Sequence, residues 1–568
     1  MTGGVCAAAC ALAVVAGGPA AVTVQRGATV PFVEYQAETA VTDGTVLGPS
    51  RNFGSLAAEA SGRKAVRLQA GQYVEFTLRQ PANAVDVRYS IPDSANGAGT
   101  TARLDVTANG SPSGWLRVTS RYSWFYGGYP FTNDPRDGGA HHFYDDARTL
   151  LGTTLSTGTK VRFVATAPTV VDLADFEQVA PPQAQPAGSI AVTDFGADPA
   201  GVRDSTAAFQ AAISAGHASG RPVWIPTGTF EITAHLIVDG VTLEGAGPWY
   251  SVLTGDGVGI YGNAAPHPSM HVRLADFAIF GEVRDRVDSS QVNGIGGALA
   301  DSTISDVWIQ HTKVGMWLDG PFDDLTVTGC RIQDTTADGI NLHQAVTHAT
   351  VENTLVRNTG DDGLAIWSDA STGQPPARDN VFRHDTVELP ILANGIAFYG
   401  GTDNAATDDL VEDTVTEGGG IHVGNRFSST PLAGTTTIAR DTVVRGGSVN
   451  PNTRTPIGAL WFYALDKPLT GEVDVTDTVL VDSTYAAVHV YGSSVKNLHL
   501  RGVRIDRAGT FGLQVQANGL VTVADVKATR LGAAGVYICR SANTFRILGR
   551  ATGLATSYCG PFPAPRRR

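Results

Sequence analysis

The chain has 568 residues, of which 42% are hydrophobic and 17% are charged; 66 are glycine and only 3 are methionine. This composition predicts a globular, turn-rich, β-rich protein, and the length leaves room for more than one domain. The formal net charge of −13 argues against nucleic acid or an anionic membrane surface as a partner, and mildly against a polyanionic substrate.

Residues 1–29 form an apolar N-terminus rich in small residues, with Pro19-Ala20-Ala21 resembling a processing site. The segment lacks the basic start of a secretory signal, so we interpret it as an incomplete signal-like segment or a disordered N-terminus. It is too short and too glycine-rich to span a membrane. We expect a secreted, monomeric protein.

The five cysteines give a second indication about the compartment. Cys6 and Cys10 would leave with a signal segment, and Cys330 is predicted to be a buried small hydrophobic residue. Cys539 and Cys559 are candidates for a disulfide in an oxidising compartment, which their spacing alone does not decide.

Residues 30–180 are predicted to form a separate β-sandwich domain, followed by a Pro/Gln/Ala-rich linker over 181–189. The segments 33–38 and 171–177 resemble the first and last strands of carbohydrate-binding modules of families 6 and 35, which hold a structural calcium. This resemblance implies that Glu34, Glu38 and Asp175 are calcium ligands, a role that suits carboxylate oxygens. The alternative is that they are ordinary exposed acids on edge strands.

The same domain contains a cluster of aromatic residues. Aromatic faces stack on sugar rings, so the cluster is a candidate binding platform, but aromatic residues also fill sandwich cores. Its members are Trp115, Tyr122, Trp124, Phe125, Tyr126 and Tyr129.

The second predicted domain, residues 190–562, opens with Asp194-Phe195-Gly196-Ala197. A capped amphipathic helix is predicted over 204–213, with Asp204 as N-cap and Phe209 and Ile213 on one face. This opening resembles the first coil and end cap of pectate-lyase-like β-helices, in which the helix covers the open end of the stacked sheets.

A repeat then continues through the second domain: a glycine followed by alternating apolar residues, mostly at intervals of 21–25 residues. That period matches one coil of a parallel β-helix, and longer intervals indicate inserted loops. We therefore predict an all-β protein, a right-handed parallel β-helix preceded by a β-sandwich. The repeated positions are Gly294, Gly315, Gly339, Gly363, Gly395, Gly420, Gly458, Ala487, Gly512 and Gly535.

Three acids precede two of these glycines: Asp338 before Gly339, and Asp361 with Asp362 before Gly363. Asp338 and Asp362 are 24 residues apart, so they are predicted to lie in neighbouring coils separated by about 4.8 Å. Hydrolysis of a glycosidic bond needs such a group, with one acid to protonate the leaving oxygen and another to activate water. The alternative is that Asp-Gly and Asp-Asp-Gly only form turns.

Two segments, Ala337-Asp338-Gly339-Ile340-Asn341-Leu342-His343 and Asn358-Thr359-Gly360-Asp361-Asp362-Gly363-Leu364-Ala365, resemble the catalytic region of glycoside hydrolase family 87. That family contains endo-α-1,3-glucanases and mycodextranases. The resemblance implies an inverting hydrolase with three catalytic aspartates. By analogy with polygalacturonases, the middle acid, Asp361, is the general acid, while Asp338 and Asp362 activate water. Stacked like charges are expected to raise a pKa, and inversion predicts a gap of about 6.5–9.5 Å.

The strand alternation predicts which residues flank the acids. Leu364 and Ile366 should face the interior, and residues at the alternate positions of neighbouring coils should face outward as a glucan-binding groove. Each of them could instead be an ordinary outward residue. The candidates are Trp367, His343, Asn341, Tyr399, His422 and Trp317.

A parallel β-helix is also compatible with other functions. A pectate lyase would need calcium and a basic residue near the acids, which Arg357 could supply. A polygalacturonase would carry Asn-Thr-Asp, Gly-His-Gly and Arg-x-Lys motifs, which this sequence lacks. A non-catalytic polysaccharide-binding protein is the alternative outside the enzymes. Fold alone does not choose among these functions. The register of the three acids favours hydrolysis, and the absence of the basic motifs favours a neutral polysaccharide. We expect no catalytic cofactor.

Overall fold

The computed structural model describes residues 26–129, 131–450, 454–539 and 543–559. The chain divides into two compact units. The first comprises the chain to Gly127 together with Asn133–Pro181, and the second comprises Gly128–Thr132 together with the chain from Pro182 onward. In the described part of the chain, no helix is long and apolar enough to cross a membrane.

The first unit is a sandwich of two antiparallel sheets, as predicted. Its core comes from alternate residues such as Val74, Phe76 and Phe163, which are buried between the sheets. One sheet contains Phe32–Gln36, Thr45–Leu47, Ala65–Leu68, Ala82–Ser90, Asp145–Leu155 and Thr169–Glu177. The other contains Val41–Thr42, Tyr73–Thr77, Thr101–Ala108, Ser111–Thr119 and Lys160–Ala165. Short 3₁₀ helices lie at Ala37–Thr39, Leu56–Glu59, Ser61–Arg63 and Pro135–Asp137.

The predicted aromatic cluster of this region does not form one surface. Phe125 and Tyr126 are buried, and Trp124 packs edge-on against Phe143 with ring centroids 4.8 Å apart. Trp115 is exposed. Tyr129 belongs to the segment that groups with the second unit.

The second unit is a parallel β-helix with three faces, which confirms the predicted fold class. Each coil contributes one strand to each face in turn. Face one contains Leu236–Ile237, Ile260–Tyr261, Ile295–Gly297, Met316–Asp319, Ile340–His343, Leu364–Trp367, Ile396–Tyr399, Ile421–Gly424, Leu460–Ala464, the first parts of Val488–Arg501 and Leu513–Ala524, Val536–Ile538 and Thr556–Tyr558.

Face two follows face one in each coil. It contains Ile190–Ala191, Val223–Ile225, Thr242–Gly245, Arg273–Ala275, Ser302–Ser305, Leu325–Thr328, Thr350–Glu352, Val381–Arg383, Ala405–Thr407, Thr435–Ala439, Leu469–Thr476, the second parts of Val488–Arg501 and Leu513–Ala524, and Asn543–Ile547.

Face three completes each coil. It contains Ala200–Asp204, Gly228–Glu231, Ser251–Gly255, Ala278–Gly281, Trp308–Gln310, Arg331–Thr335, Leu355–Thr359, Thr386–Glu388, Leu410–Glu412, Thr442–Val444, Val479–Ser483, Arg504–Ala508, Val526–Leu531 and Ala551–Thr552. Three two-stranded sheets lie outside the faces: Ser269–Met270 with Leu299–Ala300, Phe322–Asp323 with Val346–Thr347, and Val449–Asn450 with Thr455–Pro456.

The repeated glycines precede the strands of face one, where the coil turns a crowded corner. A Cβ on Gly339 would lie 2.4 Å from both the Gly363 carbonyl oxygen and the Val356 side chain, so no larger residue fits without a shift. One predicted position is off by a residue. Leu460 pairs with Ile421, so Ala459, not Gly458, occupies the repeated position there.

The end-cap helix runs from Thr206 to Ser219 with Ser205 as N-cap, and a 3₁₀ turn over Val192–Phe195 precedes it. The predicted N-cap, Asp204, is one residue too early. Its carboxylate nevertheless accepts the Thr206 backbone N–H at 2.9 Å, so it satisfies a first-turn donor. Phe209 and Ile213 are buried in the β-helix core, as predicted.

Buried polar side chains stack along two other corners of the β-helix. Asn380 and Asn404 lie where face one meets face two, and Asp385, Asp409 and Asp441 lie where face two meets face three. Each accepts a backbone N–H of the preceding coil through its Oδ1 atom. These ladders satisfy backbone donors that the turns leave without a partner in the sheets.

The cysteines of the second unit are free. Cys330 is buried, as predicted, and Cys539 and Cys559 are not bonded to each other in this structure.

Candidate active site

The three acids lie at the corner where face three meets face one. The Gly339 N–H donates to the Asp362 carbonyl oxygen at 2.9 Å, which places Asp338 and Asp362 in adjacent coils. In the next coil Asn394 continues the column, because the Gly363 N–H donates to its carbonyl oxygen at 2.9 Å. The predicted stacking of Asp338 and Asp362 is therefore present.

Asp361 joins the stacked pair to form one carboxylate cluster. Oxygens of Asp338, Asp361 and Asp362 lie within 4.8 Å of one another. The predicted gap of about 6.5–9.5 Å is therefore not seen between the nearest oxygens. The reason is local: the Asp361 carboxylate turns back and accepts the Asp362 backbone N–H at 3.1 Å, which draws it toward the pair.

The stacked acids are buried and hydrogen-bonded. Asp362 accepts the Tyr399 hydroxyl at 2.7 Å and both the backbone and side-chain N–H groups of Asn394 at 2.8 Å. Asp338 accepts the Asn341 amide at 3.0 Å. Each acid is thus oriented by side chains of face one or its corner.

Burial is the main reason that the pKa values of the stacked acids are raised. It raises the pKa of Asp362 to about 7, with a further contribution from the charge of Asp361, against the hydrogen bonds from Tyr399 and Asn394. Burial and then the charges of Asp361 and Asp362 raise the pKa of Asp338 well above its ordinary range. The predicted repulsion between like charges is present but is the smaller cause.

A cation from an inserted loop completes the cluster. The Arg286 guanidinium contacts the Asp361 carboxylate at 2.6 Å and Asp288 at 2.8 Å, and it donates to the Gly360 carbonyl oxygen at 3.2 Å. Lys313 anchors this loop by donating to the Asp288 carbonyl oxygen at 2.9 Å. The Tyr129 ring lies 5.1 Å from the guanidinium carbon, and its hydroxyl bonds to Asp288.

Face one carries two outward columns of side chains beside the acids. The first column contains Trp317, Asn341, Ala365, Ala397, His422, Trp461 and His489. The second contains Asp319, His343, Trp367, Tyr399, Gly424, Tyr463 and Tyr491. Leu364 and Ile366 point into the core, as predicted, while Ala365, Ala397, Tyr399 and Trp367 form a separate outer cluster.

The proposed substrate contacts differ in accessibility. Trp317, His343 and Trp367 form a ring stack in which His343 lies 4.8 and 4.7 Å from the two indole rings. His343 is also 2.5 Å from Asp319, so it is largely enclosed. The two tryptophans remain partly exposed.

Three other predicted contacts are buried. Asn341 and Tyr399 orient the acids and present little surface of their own. His422 is fully buried against Trp461, with ring centroids 4.4 Å apart, and so has no exposed surface for a ligand. The outward alternation predicted for these residues is present, but His422 packs among the face-one rings of Tyr399, Trp461 and Tyr463, and Phe427 packs on Tyr399.

Sequence reasoning missed Asn394 and Arg286. Asn394 had a readable signal, since it precedes Gly395 just as the two stacked acids precede Gly339 and Gly363. Arg286 had none, because it lies on an insertion outside the repeat, between Ala278–Gly281 and Ile295–Gly297.

The three predicted calcium ligands lie on two adjacent strands and in the helix that follows the first of them. Glu34 and Asp175 are register partners on adjacent strands, whereas Glu38 lies in the following 3₁₀ helix. Of the residues that the structure describes, no group of three metal-ligating side chains within 4.8 Å includes any of them. The calcium prediction therefore depends on the family resemblance of this domain alone.

A clustered set of carboxylates beside aromatic side chains on a parallel β-helix defines the class: a polysaccharide-active glycoside hydrolase. Comparisons with known proteins narrow this class. The family model for α-1,3-glucanase catalytic domain D1 matches residues 29–179, and the family model for α-1,3-glucanase catalytic domain D2 matches residues 203–547.

Solved structures agree with these matches. The catalytic unit of a thermostable family 87 α-1,3-glucanase from Streptomyces thermodiastaticus is 44% identical, with a TM-score of 0.87 over 95% of this chain and 100% of that one. The Agl-KA catalytic domain is 26% identical, with a TM-score of 0.86 over 94% and 100% of the two chains. The chain belongs to the α-1,3-glucanases of glycoside hydrolase family 87.

A more distant match concerns only part of the repeat. A stretch of 188 residues is 27% identical to mannuronan C5-epimerase AlgE3 of Azotobacter vinelandii, covering 30% of this chain and 9% of that protein. Family membership leaves the pectinase alternatives without support.

Proposed function

We propose that this protein is a secreted endo-hydrolase of α-1,3-glucosidic bonds, in which Asp338, Asp361 and Asp362 carry out the reaction. The observation that carries the proposal is the cluster of three carboxylates within 4.8 Å beside the aromatic columns of face one. An insoluble α-1,3-glucan is the expected substrate, and secretion would bring the enzyme to it.

The relatives support this assignment. One family 87 α-1,3-glucanase has been solved with nigerose, and variants of it with nigerose or tetrasaccharides. The variants are single Asp→Ala replacements at three positions that are 23 residues and then 1 residue apart. Asp338, Asp361 and Asp362 have the same spacing.

Access to the substrate assigns the roles. Asp361 is the only one of the three that is partly exposed, so it is the acid that a glycosidic oxygen can reach. We assign it as the general acid. When it gives up its proton, Arg286 at 2.6 Å stabilises the carboxylate that forms.

The buried pair is assigned to the water. One water can donate hydrogen bonds to two carboxylates whose oxygens are up to 4.8 Å apart, since each O–H···O⁻ bond spans about 2.7 Å. Because the pKa of Asp362 is raised to about 7, this acid is well placed to exchange a proton near neutral pH. Asp338 holds the same water from the neighbouring coil.

The stereochemical outcome is a separate part of the proposal. We propose inversion, as the family resemblance implies, with water held between the buried acids. The short distance between the acids is closer to the roughly 5–5.5 Å typical of retaining enzymes. Proton NMR of the first product therefore distinguishes the two stereochemical outcomes. Inversion gives the β-anomer and retention gives the α-anomer. Retention would make one of the buried acids a nucleophile.

Reducing-sugar release tests the activity. Insoluble α-1,3-glucan is compared with nigeran, dextran and polygalacturonate, using the wild type, Asp361→Asn and the matched variant Asp408→Asn, which alters another Asp-Asp pair. We expect release from α-1,3-glucan that Asp361→Asn abolishes and Asp408→Asn preserves. Release from nigeran alone would move the specificity to alternating α-1,3/α-1,4 chains.

Two results would contradict the proposal. Activity on polygalacturonate alone would indicate a pectinase, and binding of α-glucan without any hydrolysis would indicate a polysaccharide-binding protein. An α-nigerosyl fluoride tests the acid role separately, because fluoride leaves without protonation. Asp361→Asn should retain most of its activity on the fluoride, whereas Asp362→Asn should lose it.

A further inference from the structure

A cavity of about 170 Å³ lies on face one, beyond the acids in the direction of the C-terminus. Its floor is formed by Trp461, Tyr463 and Tyr491, and its sides by Glu417, Arg426 and the hairpin residue Asn450. Leu460–Ala464 is the third strand beyond Leu364–Trp367 in the stack of face one, so this floor begins about 14 Å from the catalytic coil.

The cavity lies on the same face of the β-helix as the three acids. Glu417 lies in the corner that precedes Gly420, the repeated position two coils after Gly363. Burial and then the charge of Asp361 raise its pKa. The outward column of Trp367 and Tyr399 continues through Gly424 to Tyr463 and Tyr491, which line the cavity, so the cavity lies along the same face as the acids.

The lining combines aromatic faces with hydrogen-bond donors and hydrogen-bond acceptors. Arg426 lies over the rings of Tyr463 and Trp461, at 4.7 and 5.7 Å from their centroids, and Glu417 supplies an acceptor. One cation and one carboxyl group leave the lining near neutrality. Such a lining suits a neutral ring with many hydroxyl groups better than a charged uronate ring.

One buried donor in the lining lacks a partner. Trp461 is 6% exposed, and among the residues that the structure describes its indole Nε1–H has no hydrogen-bond acceptor. Leaving a buried donor without a partner is unfavourable, so such groups are usually satisfied by water or a ligand. A sugar hydroxyl stacked on this floor would accept that bond.

We propose that this cavity is a glucosyl subsite that holds the α-glucan chain several units away from the bond being cleaved. The inference rests on the proposed function for its substrate, an α-1,3-linked glucan. It makes the enzyme dependent on chain length, because a short oligosaccharide that spans the acids does not reach the cavity. It also gives Trp461, Tyr463 and Arg426 a role in binding, separate from the chemistry at the acids.

The test compares long and short substrates. Values of kcat/KM are measured for Tyr463→Ala and Trp461→Phe on a series of nigero-oligosaccharides from the shortest that is cleaved to the longest that is soluble. The control is Tyr537→Ala, an outward aromatic residue of face one that stacks on Phe511. We expect Tyr463→Ala to lose about 5–10-fold on the longest substrate, the scale of one aromatic contact, and less than about twofold on the shortest.

Binding is measured separately from catalysis. In an Asp361→Asn background, calorimetry with the longest nigero-oligosaccharide should show weaker affinity after Tyr463→Ala and unchanged affinity after Tyr537→Ala. Equal losses on short and long substrates would overturn the subsite, as would no loss on either, or tighter binding of oligogalacturonate than of the glucan. If the wild type hydrolyses none of these substrates but the cavity variants still weaken glucan binding, the proposed activity fails and the subsite stands.

Discussion

Two of the Asp-Asp pairs in the β-helix look alike in sequence and differ in structure. Asp361-Asp362 lies where face three meets face one, and Asp408-Asp409 lies where face two meets face three. In both pairs the second acid is buried and stacks with a residue of the neighbouring coil, and the first acid pairs with an arginine. A stack of acids next to an arginine is thus not in itself a reactive site.

The partners of the buried acid make the difference. The Asp409 carboxylate accepts the Asp385 backbone N–H at 2.8 Å, and the Asp409 backbone N–H donates to the Asp441 carboxylate at 2.9 Å. Each carboxylate of this ladder thus bonds to the backbone of the preceding coil. Asp362 instead accepts the Tyr399 hydroxyl, from a side chain of the aromatic face. The arginines differ too, because Arg440 belongs to the next coil whereas Arg286 comes from an inserted loop.

Replacing the buried acid of each pair tests this comparison most strongly. Asp362→Asn should lower kcat on α-1,3-glucan by about 10³-fold or more, because the reaction loses an ionisable group that contacts the water. Asp409→Asn should leave kcat within about twofold. Both are measured by reducing-sugar release on folded protein, verified by circular dichroism. A comparable loss in both variants would show that the Asp362 effect is structural.

The arginine partners give the second test. Arg286→Met should lower kcat/KM by about 10–100-fold, since the acid loses the charge that stabilises its carboxylate. Arg286 also lowers the pKa of Asp338, so its removal raises that pKa and moves the acidic limb of the pH profile to higher pH. Arg440→Met, which breaks the bonds of 2.6–2.8 Å to Asp408, should leave the profile unchanged. An unshifted limb in Arg286→Met would exclude this coupling.

The repeat explains how much could be read from the sequence. The glycine period predicts the coils, and through them the stacking of Asp338 on Asp362 and the outward columns of face one. The period places Asp361-Asp362 before a repeated glycine and Asp408-Asp409 before Leu410 at another corner, but it does not predict the partners of either pair. What separates them is loops that follow no period: the one that carries Arg286, and the one that carries Arg426 and Phe427. The period also does not predict that aromatic side chains of the neighbouring strands pack around His422 and bury it.

Removing one hydroxyl should have a smaller effect than removing a charge. Tyr399→Phe deletes the donor that contacts Asp362 at 2.7 Å and lowers its pKa. Without it the pKa of Asp362 should rise above about 7, and kcat/KM near neutral pH should fall by about 3–10-fold, the scale of one ordinary hydrogen bond. The acidic limb of the pH profile should move upward. A uniform loss at every pH would mean that Tyr399 acts by packing alone.

The pH dependence of stability gives a separate test of the ladder formed by Asp385, Asp409 and Asp441. Burial raises the pKa of Asp409 well above its ordinary range. Below the ordinary carboxyl pKa of about 4, both the folded and the unfolded state hold the proton, and the stability is fully present. As the pH rises, the unfolded state ionises first, so stability is lost through the window up to the raised folded pKa.

Asparagine keeps the Oδ1 acceptor for the Asp385 N–H and has no proton to lose. Asp409→Asn should therefore change the thermal midpoint little at pH 4 and increase stability by about 1–3 kcal/mol at pH 7, the scale of a buried polar group. Asn404→Asp, in the neighbouring asparagine ladder, is the reverse substitution and should destabilise increasingly over the same range. Calorimetry at several pH values measures both. A pH-independent difference for Asp409→Asn would mean that this acid is already ionised in the folded protein, with its charge offset by the backbone donors of the ladder.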